Sequence, residues 1–375
     1  MKNSKIWLSV PHMGGAEQIF IQDAFESNWI TSGGENVDAF EESLENYLGG
    51  YHIAAVNSGT SALHLALILL GVAKGDLVLC QTLTFTASAN PILYLGAEPI
   101  FIDSETFTWN MCPEALEEAI IENIQKGQKP KCIIIVTLYG MPFQVEKIQA
   151  ISNKYNIPII EDSAEALGSR YKEKLCGTFG DIAIFSFNGS KIITTSAGGA
   201  VVCKSLEIKQ RAIFLATQAK DAAAHYQHSA LGYNYRMSNI CAAVGRGQMQ
   251  VLEEHLLIRK SVHEFYSSLF QSYDNIQLFE NPDENYDSNF WLNAVIFSSY
   301  AARENLRLAL EHDNIETRPL WKPLHLQPLY QKYQYYGKQV AENLFNTGLC
   351  LPSSSNMTAL ESERIATVFE TILKS

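Results

Sequence analysis

The stretch that decides the fold is KCIIIVTLYGMPFQVEKIQAISNKYNIPIIED, residues 131–162. It opens and closes with short, isoleucine-rich apolar runs. Between the runs, apolar side chains recur at steps of three and four residues, which is the spacing of one helical face; they are Val145, Ile148, Ile151 and Tyr155. A strand, a helix and a second strand in this order predict two parallel strands joined by a crossover helix.

The same alternation extends along the first two thirds of the chain. Further apolar, β-branched runs lie at 77–80, 99–103, 182–187 and 199–203, with helix-like stretches such as Ser61–Leu70 and Pro113–Gln125 between them. Strands that are apolar throughout are buried on both faces, so the pattern predicts an α/β fold with a mostly parallel sheet covered by helices. Ligands of such sheets bind beyond the carboxyl ends of the strands.

The alternation of strand-like and helix-like segments ends at about residue 240. A long helical pattern runs from Asn239 to Leu269, the polar segment 281–289 follows, and then come the apolar run 290–297 and a helix near Tyr300–His312. We therefore expect a large domain over residues 1–240 and a smaller α+β domain over residues 241–375.

Composition excludes several classes of protein. The chain has 28 Lys and Arg against 40 Asp and Glu, a net charge of −12, whereas a nucleic-acid-binding protein needs a basic surface. The longest apolar stretch, near Leu63–Leu70, is too short to span a membrane, and the first fifteen residues do not resemble a secretory signal. Seven scattered cysteines without a CxxC pair, and equally dispersed histidines, predict reduced thiols in the cytoplasm and no metal site.

Small residues precede the apolar helix that begins near residue 61. The sequence there is Asn57-Ser58-Gly59-Thr60-Ser61-Ala62. Free backbone N–H groups and hydroxyls at the positive end of a helix dipole can bind a phosphate without any lysine or arginine. Simple capping of the helix explains the same residues equally well.

Acidic side chains follow the second strand of the opening stretch, at Glu161, Asp162 and Glu165. A carboxylate that emerges from a buried strand needs a cationic or hydrogen-bonding partner. A protonated ring nitrogen would be such a partner. The alternative is a carboxylate at a helix start that faces water.

One lysine, Lys191, stands between apolar runs and close to the hydroxyl of Ser186. Burial can depress the pKa of a lysine and leave a neutral amine that attacks carbonyl groups. The alternative is a surface lysine whose aliphatic stem covers apolar neighbours.

A fourth segment, Gly232-Tyr233-Asn234-Tyr235-Arg236-Met237-Ser238, opens the long helical pattern and is also explained by a helix start with buried tyrosines. Taken together, the segments supply a phosphate cradle, an anion for a ring nitrogen and an amine nucleophile. This combination is typical of proteins that bind pyridoxal phosphate.

Five segments carry a resemblance to a known family: NSGTSALHLAL, TFTASANPILYLGAEPIFID, EDSAEALGS, GDIAIFSFNGSKIITTSAGG and LGYNYRMSN. Together they resemble the DegT/DnrJ/EryC1/StrS family of sugar aminotransferases, in the family's order and over nearly the whole chain. The resemblance implies the fold-type I aminotransferase architecture, pyridoxal 5'-phosphate as cofactor with pyridoxamine phosphate as its second form, and a homodimer with shared active sites.

The resemblance also implies roles for individual residues. Lys191 would form the Schiff base with the cofactor and shuttle protons, and Asp162 would pair with the pyridine nitrogen. The cofactor phosphate would bind to Gly59, Thr60, Ser61 and Ser186. Phe85 would stack on the cofactor ring, and Asn234 would reach the cofactor phosphate of the neighbouring subunit.

The chain departs from the family pattern at two positions. Many relatives have Gln or His where this chain has Glu165, near the cofactor's phenolic oxygen. Many also read SFHGTK, whereas residues 186–191 here read SFNGSK. Sugar dehydratases of the family replace the lysine with histidine, so Lys191 argues against that activity.

A narrower resemblance links this chain to aminotransferases of the bacillosamine and legionaminic acid pathways, on residues 11–15, 138–140, 161–169, 188–196 and 316–325. These act at C4 of UDP-4-keto-6-deoxy-N-acetylhexosamines, usually with L-glutamate as the amino donor. Expected substrate contacts are Thr31, Arg318, Trp321 and His325, of which Arg318 could grip a phosphate or carboxylate. Two alternatives stay open: amination at C3 of a dTDP-3-keto-deoxysugar, and a non-catalytic nucleotide-sugar-binding or regulatory protein.

Overall fold

The computed structural model describes residues 3–373. In this part of the chain the helices are α1 (Glu17–Glu26), α2 (Glu35–Tyr47), α3 (Gly59–Leu69), α4 (Asn90–Tyr94), α5 (Pro113–Gln125), α6 (Val145–Tyr155), α7 (Leu206–Ala216), α8 (Asn239–Met249), α9 (Leu252–Phe270), α10 (Tyr300–His312), α11 (Val340–Thr347) and α12 (Ala359–Leu373). The strands are β1 (His52–Val56), β2 (Leu77–Gln81), β3 (Glu98–Ile102), β4 (Cys132–Val136), β5 (Ile159–Asp162), β6 (Arg170–Tyr171), β7 (Lys174–Leu175), β8 (Ile182–Ser186), β9 (Gly199–Cys203), β10 (Ile276–Leu278), β11 (Tyr286–Asp287), β12 (Asn293–Phe297), β13 (Arg318–Pro319), β14 (Tyr335–Tyr336) and β15 (Gly348–Leu351).

The larger sheet has the strand order β1-β9-β8-β5-β4-β2-β3-β14. In this sheet β9 runs antiparallel to the strands on either side of it, β1 and β8. The strands β4 and β5 form the predicted parallel pair joined by α6. Side chains of β2 alternate between two buried clusters, with Val78 and Cys80 on one face and Leu77 and Leu79 on the other. The predicted α/β fold with a mostly parallel, doubly covered sheet is confirmed.

The long helical pattern from Asn239 to Leu269 is two helices rather than one. The helix is interrupted between α8 and α9, where Val251 N–H donates a hydrogen bond to the carbonyl of Gln248, three residues earlier. The amino-terminal segment packs onto the break, because a Cβ placed on Gly14 would lie 2.7 Å from Val251 Cγ1. A sequence pattern that is helical throughout is thus divided at the point where a distant segment packs.

The carboxyl-terminal part of the chain builds a second, antiparallel sheet with the order β10-β12-β15-β13. The carboxyl-terminal part of the chain also contributes a strand to the larger sheet, because β14 pairs in parallel with β3 at its edge. The amino-terminal helices α1 and α2 pack against α8. The division at residue 240 stays a prediction, and β14 shows that residues beyond it contribute to both sheets.

Candidate active site

A cavity of about 140 Å³ opens where the carboxyl ends of β5 and β8 face the start of α3. We call it the Lys191 cavity. The predicted residues that line it are Gly59, Thr60, Phe85, Asp162, Glu165, Ser186 and Lys191. Separate segments of sequence therefore converge on one point, at the edge of the sheet where a ligand of a parallel sheet is expected.

Asp162 ends β5, between Val136 of β4 and Ile184 of β8, and is 5% exposed. Its Oδ2 accepts a hydrogen bond of 2.7 Å from the hydroxyl of Ser88, and its Oδ1 accepts one of 3.2 Å from Ala164 N–H. Burial raises the pKa of Asp162, although these donors and the charge of Lys191 oppose the rise. No ion pair reaches this carboxylate within residues 3–373, so a cationic ring nitrogen would complete its surroundings.

The amine of Lys191 lies 3.5 Å from Glu165 Oε1 and 3.8 Å from the centre of the Trp291 ring. Burial lowers the pKa of Lys191, and the charges of Glu165 and Asp162 oppose that shift. A lysine held in this way gains a larger fraction of the neutral amine near pH 7, the form that attacks a carbonyl carbon.

Glu165 is buried beside this amine. Its Oε2 accepts a hydrogen bond of 2.7 Å from Tyr139 N–H, and burial raises the pKa of Glu165 while Lys191 lowers it. Tyr139 has a φ of 54°, an unusual conformation for a side chain with a Cβ. The carboxylate therefore has two partners in the protein, and its contact with a cofactor stays a prediction.

The start of α3 provides the phosphate cradle. The Ser58 hydroxyl caps Ser61 N–H at 3.0 Å, whereas the N–H groups of Gly59 and Thr60 have no acceptor in the described part of the chain. Ser186 lies so close that a Cβ on Gly59 would approach its Cβ to 2.8 Å. Free N–H groups and an adjacent hydroxyl fit a phosphate. Ser61 does not line the cavity, and its hydroxyl donates to Asn57 Oδ1 at 2.6 Å.

Aromatic rings stand at the mouth of the Lys191 cavity. Phe85 is 53% exposed, and its ring centre lies 5.4 Å from that of Trp321. The backbone N–H of Trp321 donates to the hydroxyl of Tyr139 at 2.9 Å, which fixes the position of Trp321. An exposed phenyl ring in the lining of the cavity fits the predicted stacking on a cofactor ring.

Six predicted residues do not line the cavity: Ser61 and Trp321, described above, and Asn234, Thr31, Arg318 and His325. Asn234 is exposed, Thr31 is exposed, and Arg318 binds Glu316 Oε1 at 2.7 Å. His325 has both ring nitrogens engaged, with Thr82 Oγ1 at 2.7 Å and Glu342 Oε1 at 3.2 Å. The phosphate, substrate and partner-subunit roles of these six residues stay predictions.

Sequence reasoning missed other residues of the cavity. Thr84 and Ser88 line it, and their hydroxyls lie 2.9 Å apart in a chain that ends on Asp162. They follow β2, so the strand-end rule could have found them. Trp291, which contacts the amine of Lys191 but does not line the cavity, could not be found in this way, because it lies a hundred residues from Lys191 in sequence.

A larger groove of about 910 Å³ lies elsewhere, between residues 106–109 and 267–282. It shares no residue with the Lys191 cavity, and no lysine, arginine or histidine lines it. Within residues 3–373 no cluster of three or more His, Cys, Asp or Glu side chains could hold a metal ion, and no helix is long and apolar enough to cross a membrane.

Proteins similar to this chain include named aminotransferases and a nucleotide-sugar synthase. EpsN of Bacillus subtilis (strain 168), named as a pyridoxal phosphate-dependent aminotransferase, is 47% identical over 98% of this chain and 95% of its own. GDP-perosamine synthase of Escherichia coli O157:H7 is 37% identical over 96% of both chains. A UDP-4-amino-4,6-dideoxy-N-acetyl-beta-L-altrosamine transaminase of Campylobacter jejuni (strain 81-176) is 33% identical over 92% of both.

A solved structure has the same fold. Spr1654 of Streptococcus pneumoniae, named as a sugar aminotransferase and described in its PMP-form, superimposes with a TM-score of 0.90 at 26% identity, over 99% of both chains. The model of the DegT/DnrJ/EryC1/StrS aminotransferase family matches residues 11–372. The chain therefore belongs to the DegT/DnrJ/EryC1/StrS family and is a pyridoxal phosphate-dependent sugar aminotransferase.

Proposed function

We propose that the enzyme moves the amino group of L-glutamate to C4 of a UDP-4-keto-6-deoxy-N-acetylhexosamine, with Lys191 as the residue that carries the cofactor. The observation that carries the role of Lys191 is its half-buried side chain, in one cavity with Asp162 and the free N–H groups of Gly59 and Thr60. The position of the new amine, C4, is supported by the name of the transaminase from Campylobacter jejuni.

Each residue of the cavity has a distinct task in this proposal. Pyridoxal phosphate, when bound, supplies the electron sink that lets a carbon beside the amino group lose its proton. Asp162 binds the ring nitrogen and keeps it protonated, and the start of α3 binds the phosphate. Phe85 covers the ring and excludes water.

Lys191 moves protons at its Nζ atom. Glu165, 3.5 Å away, holds the amine in place and balances its charge when it is protonated. The setting keeps the proton transfer away from bulk water, and burial lowers the pKa of Lys191, which suits a group that both takes up and returns a proton. Proton return from Lys191 to one face of the substrate would set the configuration at C4.

A second candidate substrate is a GDP-linked 4-keto-6-deoxyhexose, because GDP-perosamine synthase is the more similar of the two relatives named for a nucleotide sugar. The test is a panel of UDP-4-keto, GDP-4-keto and dTDP-3-keto sugars, each incubated with enzyme and glutamate. NMR then locates the new amine. We expect C4 amination of the UDP sugar; turnover of the dTDP or GDP sugar alone would overturn the substrate proposal.

We also propose that the enzyme works in the cytoplasm as a homodimer with shared active sites. All seven cysteines are free, which fits a reducing compartment. Asn234 is exposed and lies outside its own Lys191 cavity, next to the exposed Leu231. Mixing Lys191→Ala and Asn234→Ala subunits should restore activity, since a mixed dimer contains one intact site. Failure of the mixture to recover activity would refute the shared site.

A further inference from the structure

Arg259 is a buried cation without an anion. It lies on α9, is 1% exposed, and forms no ion pair with a carboxylate within residues 3–373. Burial lowers the pKa of Arg259 to about 10, and its Nε has no hydrogen-bond partner. A guanidinium that is desolvated in this way costs stability, so its contacts call for an explanation beyond packing.

These contacts join three separate parts of the chain. Nη1 donates to the carbonyls of Trp291, at 2.8 Å, and of Ser353, at 2.7 Å. Nη2 donates to the hydroxyl of Ser9, at 3.3 Å, in the amino-terminal segment. Arg259 therefore fixes Trp291 and Ser9 relative to each other.

Trp291 and Ser9 meet again on the residue before Lys191. Trp291 Nε1 donates to the carbonyl of Ser190 at 2.8 Å, and the hydroxyl of Ser9 donates to the same oxygen at 3.1 Å. The hydrogen bonds thus form a closed ring of four residues, Arg259, Trp291, Ser190 and Ser9. The Trp291 ring also packs under the amine of Lys191, at 3.8 Å.

We propose that Arg259 is a positioning residue, which holds the backbone and the amine of Lys191 in place through Trp291 and Ser9. This inference rests on the proposed role of Lys191. A planar guanidinium suits the task because its two nitrogens donate in fixed directions. Amine placement matters, since displacing a reacting group by about 1 Å can cost roughly a hundredfold in rate.

The test is Arg259→Met, which keeps the length of the side chain and removes the donors. The full chain, freed of cofactor, is labelled with trace acetic anhydride at pH 8, and mass spectrometry compares Lys191 with the exposed Lys154. When the ring of hydrogen bonds opens, water reaches the amine and its neutral fraction falls. Because only the neutral amine reacts, we expect the labelling of Lys191 relative to Lys154 to fall about threefold or more.

The loaded variant gives a second readout. We expect kcat to fall about tenfold while KM for glutamate changes less than about twofold, because the loss concerns the amine and not the binding of the donor. The matched control is Arg303→Met, which removes another buried guanidinium, bound to Asn346 and Glu304 far from this ring. It should lower the melting temperature and leave Lys191 labelling unchanged.

The double variant Ser9→Ala, Trp291→Phe removes both contacts to Ser190 and keeps an aromatic ring. It should reproduce the labelling change, and it serves if Arg259→Met does not fold. Unchanged labelling of Lys191 in both the folded single variant and the double variant overturns the inference. A wild-type enzyme that attaches cofactor elsewhere than Lys191 would overturn the proposed function instead, so the two failures are distinguishable.

Discussion

Glu161 and Asp162 are neighbours on β5, and both are buried carboxylates, yet they belong to two different regions of the molecule. Successive side chains of a strand point to opposite faces. Asp162 lines the Lys191 cavity, whereas Glu161 binds the turn at residues 177–180, accepting from Phe179 N–H at 2.8 Å and Gly180 N–H at 3.2 Å. Glu161 also accepts from Gly177 N–H and from the hydroxyl of Ser163 at 2.9 Å.

The difference lies in how completely the protein satisfies each charge. Glu161 has four donors spread over both oxygens and does not line the Lys191 cavity, so its charge stabilises a turn. Asp162 has two donors and faces an open space shared with Lys191 and Glu165. A buried charge that the protein leaves partly unsatisfied, beside a cavity, marks a place for a ligand.

The largest expected effect is that of Lys191→Ala on the cavity side. Without the amine, no residue can carry the cofactor or return the proton, so transamination should fall at least about a thousandfold. Lys209→Ala is the matched control, since Lys209 is another half-buried lysine, paired with Glu41 at 3.2 Å and Glu45 at 2.8 Å. It should stay within roughly threefold of wild type. Steady-state transamination measures both, and a Lys191→Ala enzyme within tenfold of wild type would contradict the account.

The comparison itself is tested by exchanging each acid for its amide. Asp162→Asn should lower kcat by roughly a hundredfold, because the ring nitrogen loses its counter-charge. Glu161→Gln should lower the free energy of unfolding by about 2–3 kcal/mol, because an NH₂ group would face N–H donors. Its folded fraction should keep activity within about threefold. Urea unfolding and kinetics together check this, and equal loss of activity in both variants would erase the distinction.

A smaller effect concerns pH and the cofactor-free protein. Burial raises the folded-state pKa of Asp162, so the stability it contributes is present at low pH and is lost as pH rises through that raised value. Asp162→Asn has no such dependence. The variant should therefore gain stability relative to wild type between pH 4 and pH 8, on the order of 1 kcal/mol. Parallel unfolding curves at all pH values would show that Asp162 ionises freely.

The smallest effect is expected from Glu165→Gln. The carboxylate raises the pKa of Lys191 against the lowering by burial, so its removal lowers that pKa further. More neutral amine is then present at pH 7, and covalent capture of pyridoxal phosphate should be about threefold faster. Stopped-flow absorbance against pH measures the rate, and Glu161→Gln is the control. If the capture rate depends on pH in Glu165→Gln as it does in wild type, Glu165 does not raise the pKa of Lys191.

The sequence predicted the fold well where local pattern decides it. The strand–helix–strand unit of residues 131–162 forms as expected, and Pro113–Gln125 and Tyr300–His312 are helices with the predicted bounds. Pattern fails where distant segments intervene. The long helical pattern divides near residue 251, where the segment at Gly14 packs, and β14 joins the larger sheet from far along the chain.

The candidate site divides along the same line. Asp162, Ser186 and Lys191 follow strands or stand near their ends, so the rule for parallel sheets finds them. The hydrogen-bonded ring behind Lys191 comes from residues 9, 190, 259 and 291, which no local pattern connects. Glu161 and Asp162 look alike in sequence, and only the direction of each side chain separates them.

The most direct test of the central claim is the site of cofactor attachment. The purified enzyme is loaded with pyridoxal phosphate and reduced with borohydride, and the adduct is located by peptide mass spectrometry. We expect one pyridoxyl group, on Lys191, and none on Lys209. In the Asp162→Asn and Glu161→Gln variants we likewise expect no pyridoxyl group on any lysine other than Lys191. An adduct on another lysine, or none at all in the loaded wild-type enzyme, would contradict it.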